Sequence, residues 1–202
     1  MIDYLKERLK AGLPGAEAQY QMAGVFRQKV EPPAHAVHSA VMMLLYGAGT
    51  EYHFLLIERT NDNPNDKHSG QISFPGGRRD PQDMNLEATA VRETHEEIGI
   101  SPESVTVLGA LTELYIPVSN YLVFPYIGLV QSEFQVVPQP SEVKSVISVA
   151  LKDILDADNL RSTTIRLPQG IVLKDVPYFH LVDKVVWGAT AMILNEVKTL
   201  LK

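Results

Sequence analysis

Cysteine is missing from this chain of 202 residues. Its absence excludes disulfide bonds, thiolate metal sites and a cysteine nucleophile, and it is in keeping with a reducing compartment. An excess of positive charge is missing too, since the formal net charge is -6. Broad nucleic-acid binding requires a basic surface, so we expect no nucleic acid among the partners of this protein.

Long apolar runs are also absent. No run approaches the roughly 18 residues that a membrane-spanning helix needs. Residues 1–15 carry charges throughout, unlike a secretory signal, and the chain ends in TLLK rather than in a peroxisomal address. The content of 45% hydrophobic and 21% charged residues is typical of globular proteins. We therefore expect a cytoplasmic protein with no membrane partner.

The apolar pattern divides the chain into an N-terminal extension, residues 1–36, and a main domain, residues 37–202. Residues 2–12 have helical spacing and residues 14–36 are polar and irregular, so we expect this extension to pack on the domain. Strands and helices are intermixed in the main domain, which predicts one mixed α/β fold. Strands are predicted at residues 40–46, 52–58, 71–74, 105–111, 121–130, 142–150, 163–167 and 176–181, and helices at 85–97, 151–156 and 185–201.

Three glutamates crowd one helical segment, RETHEEIGI at residues 92–100. At about 100° per residue, Glu93, Glu96 and Glu97 fall within roughly 100° of arc on one helix face. A divalent cation such as Mg²⁺ would offset their mutual repulsion, since hard cations take oxygen ligands. A solvated acidic helix face is the alternative. We take Glu97 to be exposed, so that its change to Gln costs under about 0.5 kcal/mol of stability.

Glycines flank this helix. Gly77, in the run FPGG, lies fifteen residues before Arg92, and a glycine pair lets the backbone approach a ligand or a metal closely. Gly99 suits the position just after the helix, and Asn85 suits its N-cap. A glycine turn beside an acidic helix indicates chemistry on a phosphate.

Gly77 together with residues 92–100 resembles the Nudix box of nucleoside-diphosphate-X hydrolases, G-x5-E-x7-R-E-U-x-E-E-x-G-U, where U is a bulky aliphatic residue. Thr94 stands at one aliphatic position, and the spacing from the glycine to the arginine is one residue longer than in the pattern. The first acid of the box is then best read as Asp83, with Asp80 as a second candidate. The resemblance implies a Nudix-type α/β/α sandwich with a mixed β-sheet between helices.

Residues 67–83, KHSGQISFPGGRRDPQD, are similar to the segment before the box in coenzyme A pyrophosphatases. A Leu-Leu-x-x-Arg strand precedes that segment in the subfamily, and residues 55–59, LLIER, fit it. The stretches VPYF and WGATAMIL, around Tyr178 and Trp187, are similar to the same group. The subfamily usually has an arginine four residues before the first glycine of this segment, where this chain has Asp66.

The resemblance implies hydrolysis of a pyrophosphate bond with Mg²⁺ or Mn²⁺ as the cofactor. The metal ligands would be Glu93, Glu96 and Glu97, with the carbonyl group of Gly77. Arg92 is expected to point away from the metal face and to pair with a neighbouring acid such as Glu93, which fixes the rotamer of that acid.

The catalytic base is either a glutamate of the box or the downstream Glu142, for which a surface position at a strand edge is the alternative. Four basic residues are candidates for binding the substrate, and exposed surface positions are the alternative for His68 and Arg78. Lys67 would replace the missing arginine, although lysine lacks the planar fork of arginine. The four are Arg59, Lys67, His68 and Arg78.

Three hypotheses follow for the function. A coenzyme A or acyl-coenzyme A pyrophosphatase would release 3′,5′-ADP and 4′-phosphopantetheine or its acyl form. A Nudix hydrolase of another nucleotide, such as ADP-ribose or a dinucleotide, is favoured by Asp66. A non-catalytic, Nudix-like ligand-binding domain is disfavoured by the intact set of glutamates. The partner of either enzyme is a small-molecule diphosphate, and a homodimer is compatible with the chain because Nudix proteins are often dimers.

Overall fold

A computed structural model describes residues 1–25, 27–49, 51–60, 68–167 and 170–202. The helices are α1 (Ile2–Ala11), α2 (Gly15–Tyr20), α3 (Leu86–Ile98) and α4 (Gly188–Leu200). Short 3-10 helices lie at Pro102–Ser104, Leu151–Ile154 and Ala157–Asn159. The strands are β1 (Val37–Ala48), β2 (Glu51–Arg59), β3 (Ile72–Ser73), β4 (Gly76–Arg78), β5 (Val105–Ala110), β6 (Leu114–Ile116), β7 (Tyr121–Val130), β8 (Val143–Ala150), β9 (Leu160–Arg166), β10 (Val172–Leu181) and β11 (Lys184–Trp187).

The main sheet is mixed and is centred on β1. Its strand order is β3-β2-β1-β7-β5, and in addition β4 pairs with β1, β6 with β7 and β8 with β2. Strand β1 runs parallel to β7 and antiparallel to β2 and β4. The antiparallel pairing of β4 with β1 places Gly77 opposite Ala40, so the glycine pair is held as part of the sheet.

Strand β1 is buried on both faces, and its side chains alternate between two cores as a strand requires. Ala40, Met42 and Leu44 pack with residues of α3, whereas Met43 and Leu45 pack with residues of α4. The main sheet therefore lies between α3 on one face and α4 on the other. The expected mixed α/β fold, with a mixed sheet between helices, is confirmed.

A second, antiparallel sheet of order β11-β10-β9 lies next to β3 and the start of α4. The prediction of a helix from residue 185 was wrong at its start, because residues 184–187 form β11 and the helix begins at Gly188. Val185 and Val186 are β-branched and pair with β10. Gly188, with φ 63°, then turns the chain into α4.

The N-terminal residues pack on α4. Helix α1 contacts β5 and α4, and α2 contacts α4. The fully buried Glu196 of α4 accepts hydrogen bonds from Gln19 Nε2 at 2.8 Å and from the backbone N–H of Gly15 at 3.2 Å. The prediction that residues 14–36 are irregular throughout was wrong, because residues 15–20 form α2. A helix this short owes its stability to packing rather than to its own sequence pattern. Across the described ranges, no helix has the length and apolar character that a membrane span needs.

Candidate active site

Helix α3 begins and ends at the expected residues. The Asn85 side chain accepts a hydrogen bond from the backbone N–H of Ala88 at 2.8 Å, which satisfies one free donor of the first turn. Gly99 follows the helix in the left-handed conformation, with φ 76°, and its N–H bonds to the carbonyl of His95. Its buried residues Ala90 and Ile98 fix which face of α3 meets the sheet.

Arg92 lies among the acids of the site rather than away from them, so the expectation that it points away from the glutamate face was wrong. Its Nη1 donates to Glu93 Oε1 at 2.9 Å and to Glu96 Oε2 at 2.8 Å. Its Nε and Nη2 each donate to Asp83 at 2.9 Å, and Nη2 also donates to the carbonyl of Arg78 at 3.0 Å. All five N–H donors of the guanidinium thus have an acceptor. The pairing of Arg92 with Glu93 agrees with the sequence-based expectation.

Asp83 anchors this arginine. It is nearly buried, and besides the two bonds from Arg92 it accepts from Thr89 Oγ1 at 2.8 Å and from the backbone N–H of Asp80 at 2.9 Å. The bidentate pair with Arg92 holds the pKa of Asp83 well below its usual range. With its oxygens already bound, Asp83 acts on the site through Arg92. Sequence reasoning read Asp83 only as a displaced first acid. The presence of Arg92 in the same motif could have indicated that Asp83 pairs with this arginine.

Glu97 is 2% exposed, so the expectation of an exposed carboxylate was wrong. Its Oε2 accepts from the backbone N–H of Gly76 at 2.8 Å, and its Oε1 lies 3.2 Å from Nη1 of Arg59. Burial raises the pKa of Glu97 to about 7, against the lowering effects of Gly76 and Arg59. The helix pattern could not reveal this burial, because β4 reaches Glu97 from a distant part of the chain.

Glu93 packs against Gly77. A Cβ atom placed on Gly77 would lie 2.5 Å from Glu93 Oε2, so only glycine fits here without a shift of the carboxylate. Burial raises the pKa of Glu93, and the charges of Glu96 and Glu142 add to this, whereas Arg92 opposes it. The structure therefore brings Glu93, Glu96 and Glu97 of α3 to the glycine pair of β4.

Glu96 and Glu142 are the exposed acids of the site. The side chain of Glu96 is 54% exposed and is held at one oxygen by Arg92. Glu142 is exposed just before β8, and its backbone carbonyl accepts from the N–H of Thr60. Its negative charge raises the pKa of both Glu93 and Glu97, so Glu142 lies near these two acids.

The candidate substrate-binding residues differ in how close they lie to the carboxylate cluster. Arg59 reaches Glu97, and His68 Nδ1, in the turn at residues 68–70, lies 3.3 Å from Gln71 Oε1. Arg78 has an exposed side chain and contributes its backbone carbonyl to Arg92. Lys67 lies outside the described residues.

The donor atoms of this cluster fit a hard divalent cation. Three carboxylates and a backbone carbonyl offer only oxygen ligands, and two of the carboxylates, Glu93 and Glu97, are held where burial disfavours their charge. In the portion of the chain that is described, no three acidic or histidine side chains are yet arranged as a ligand set. In this structure Arg92 binds Glu93 and Glu96, while Arg59 and Gly76 bind Glu97.

Comparison with known proteins identifies the family of this chain. The family model of the NUDIX domain matches residues 36–167, which include every candidate site residue. The chain is 30% identical over 165 residues to the uncharacterized Nudix hydrolase NudL of Pectobacterium atrosepticum, covering 82% of this chain and 83% of that protein. It is 35% identical over 133 residues to the protein of the same name from Photorhabdus laumondii, covering 64% and 68%.

Two solved structures share the fold. A Nudix hydrolase from M. Smegmatis, RenU, aligns with a TM-score of 0.54 and 20% identity, over 82% of this chain and 86% of that chain. The NUDIX domain of Shewanella oneidensis NrtR, complexed with ADP ribose, aligns with a TM-score of 0.50 and 15% identity, over 93% and 99%. At these identities the likeness concerns the arrangement of helices and strands alone.

Proposed function

This chain belongs to the Nudix family, and from that premise we propose that it is a metal-dependent coenzyme A or acyl-coenzyme A pyrophosphatase. Membership of the Nudix family supports hydrolysis of a pyrophosphate bond in a nucleotide-linked diphosphate. The proposed products are 3′,5′-ADP and 4′-phosphopantetheine or its acyl form. One observation carries the choice of substrate: the segment from His68 to Gly77, which resembles that of coenzyme A pyrophosphatases, ends in direct contact with Glu93 and Glu97.

Glu93, Glu96, Glu97 and the carbonyl of Gly77 would hold the cation. Nudix hydrolases generally use divalent metals such as Mg²⁺ or Mn²⁺, and a bound cation would neutralise phosphate charge and lower the pKa of water. Arg92 sets where two of these carboxylates lie, because one nitrogen binds both Glu93 and Glu96. This positioning role of Arg92 rests on Asp83, which fixes the opposite side of the guanidinium.

Glu142 is the proposed proton acceptor for the attacking water. Glu97 is already proposed as a metal ligand, and its side chain is closed to solvent. Glu142 is exposed and lies near Glu93 and Glu97, so water reaches it directly. A positioned carboxylate that takes a proton typically contributes about 10²–10⁴-fold to the rate.

The basic residues would hold the phosphates. Arg59 is the best supported, because its guanidinium already lies at the carboxylate cluster, 3.2 Å from Glu97. His68 lies in the turn that packs on the end of β2, where the Ser69 hydroxyl and the Gly70 N–H both bond to the carbonyl of Thr60. Arg78 is exposed beside Gly77, and Lys67 completes the set by its place in the sequence.

A panel of diphosphates tests the proposal. The purified protein is incubated with Mg²⁺ or Mn²⁺ and, separately, coenzyme A, acetyl-coenzyme A, ADP-ribose and a diadenosine polyphosphate, and the products are separated by chromatography. We expect 3′,5′-ADP from coenzyme A at the highest kcat/KM. Intact coenzyme A alongside cleavage of another diphosphate would reject the substrate assignment and keep the reaction class.

Hydrolysis of another nucleotide is the second candidate, and Asp66 favours it. An aspartate where the subfamily usually has arginine exchanges a positive charge for a negative one, which disfavours a polyanionic substrate. Asp66→Arg separates the two candidates. A gain in kcat/KM for coenzyme A relative to ADP-ribose supports the first, and an unchanged ratio supports the second. Binding without turnover of any diphosphate would instead indicate a non-catalytic domain.

A further inference from the structure

Ser73 carries a buried hydroxyl group that has no hydrogen-bond partner anywhere in the described ranges. It is one of the two residues of β3, and its neighbours Ile72 and Phe74 pack into the core on the α4 side. Buried polar groups in folded proteins are nearly always hydrogen-bonded, so an unpaired hydroxyl in a strand of the main sheet needs a physical explanation.

The hydroxyl of Ser73 faces the glutamate helix. In the antiparallel pairing of β2 with β3, Ser73 lies opposite Ile57, so the two side chains share one face of the sheet. Ile57 packs with Ala90 and Ile98 of α3. Ser73 is therefore on the α3 face, opposite to Ile72 and Phe74, as strand alternation requires.

The two groups that hold Glu97 lie on either side of Ser73. The backbone N–H of Arg59 bonds to the carbonyl of Gln71 at 3.1 Å, while the guanidinium of Arg59 reaches Glu97. The N–H of Gly76 bonds to Glu97 from the other side. Ser73 therefore lies in the chain between Gln71, which is bonded to Arg59, and Gly76, which is bonded to Glu97.

We propose that Ser73 is a substrate-binding residue whose hydroxyl donates a hydrogen bond to a phosphate oxygen of the diphosphate. The hydroxyl is closed to solvent in this structure, so the proposal requires a neighbouring group to move when the diphosphate binds, and Arg59 is the candidate for that movement. A hydrogen bond to an ionised oxygen is roughly twice as strong as a neutral one, so the bound phosphate offsets the cost of the unpaired group. The inference rests on the proposed function, since it uses the same site, but it does not depend on which groups the diphosphate carries.

Ser73→Ala and a matched control, Ser119→Ala, test this role. Ser119 is another buried hydroxyl without a partner, in the turn between β6 and β7, and β2 and β1 separate it from β3. Both changes remove an unpaired buried hydroxyl, so neither lowers the Tm, and a rise of about 2–4 °C is expected. Only Ser73→Ala should weaken metal-free binding of ADP, measured by calorimetry, by about tenfold to hundredfold. The KM for the preferred substrate of the panel should rise alongside.

Equal binding of ADP by Ser73→Ala and the wild type overturns the proposal, as does equal weakening in Ser119→Ala. A lower Tm for Ser73→Ala would assign the hydroxyl a structural role and would also overturn the proposal. A wild type that does not bind ADP would overturn the proposal as well. Failure of the proposed function gives a different result: the wild type would bind ADP through Ser73 while hydrolysing no member of the panel.

Discussion

Two buried glutamates lie on opposite faces of the main sheet, Glu97 on α3 and Glu196 on α4. They differ in the number and kind of hydrogen-bond donors around their carboxylates. Glu196 is fully buried and accepts hydrogen bonds from three residues. Gln19 Nε2 lies at 2.8 Å, Thr112 Oγ1 at 2.6 Å and Thr112 N at 3.3 Å, and Gly15 N lies at 3.2 Å. Every one of these donors is uncharged.

Glu97 has fewer donors for the same degree of burial. One backbone N–H, from Gly76, and one nitrogen of Arg59 reach it, and burial raises its pKa to about 7. The structural acid is saturated by its neighbours, whereas burial disfavours the charged form of the acid of the site. A bound cation would stabilise the charged form of Glu97. Acids with a strongly perturbed pKa are typical of functional sites.

Glu97→Gln should have the largest effect of these variants, a loss of activity with little change in stability. We expect kcat to fall by about 10³-fold or more, because a proposed metal ligand loses its charge. The Tm should change by only a few degrees, since the amide oxygen still accepts from Gly76 and the charge that burial disfavours is gone. Steady-state kinetics with Mg²⁺ and a thermal melt on the same preparation check both. Unfolding of this variant would show that Glu97 is structural, like Glu196.

Glu196→Ala should give the opposite result. It leaves the donors of Gln19, Thr112 and Gly15 buried without an acceptor, which should cost about 3 kcal/mol of stability. The kcat per folded molecule should stay within about twofold of the wild type, since this residue lies across the sheet from α3. Urea denaturation and turnover corrected for the folded fraction measure the two quantities. A large loss of kcat in folded protein would contradict the division between structural and functional glutamates.

Gly77→Ala should weaken activity by about tenfold to hundredfold, because the new methyl group would lie 2.5 Å from Glu93 Oε2 and displace that carboxylate. Gly24→Ala is the control, since a Cβ there would meet one side-chain atom, Val176 Cγ2, at an ordinary 4.0 Å. The kcat/KM values of both variants measure the effect. Equal kcat/KM for the two would mean that Glu93 can move freely without loss.

Glu58→Gln should show the smallest effect, and it adds a third kind of glutamate to the comparison. Hydrogen bonds from Lys144 and Lys184 lower the pKa of Glu58 to about 2. Its contribution to stability is therefore complete above the unfolded pKa of about 4.3 and is lost as the pH falls towards 2. The lysines are 57% and 40% exposed, so solvent screening limits this contribution to under about 1 kcal/mol. Urea denaturation from pH 6 to pH 3 should show a shallower loss in Glu58→Gln than in the wild type, and parallel curves would exclude the effect.

Local signals in the sequence were sufficient for α3. Apolar spacing, the Asn85 cap and Gly99 predicted its ends, and the crowding of Glu93, Glu96 and Glu97 predicted a cluster of acids. The long strands β1, β2 and β7 also follow from their apolar runs. Strands β4 and β6 have three residues each, which is too short for alternation to be recognised.

Contacts between distant parts of the chain were beyond sequence reasoning. The bond between Gln19 and Glu196 joins residues 177 positions apart, and neither residue belongs to a recognisable motif. The burial of Glu97 depends on β4 and Arg59, which reach it only after the sheet has formed. The turn of Arg92 towards Asp83 likewise requires the loop between β4 and α3 to close.

Strand β1 constrains how the gene for this protein can change. Its even-numbered residues, such as Met42 and Leu44, pack under α3, and its odd-numbered residues, Met43 and Leu45, pack under α4. Inserting or deleting one codon here would send every side chain beyond it to the opposite core and would shift Gly77 relative to the glutamates. Single substitutions that conserve volume would be tolerated, so this strand should drift in composition while its length stays constant.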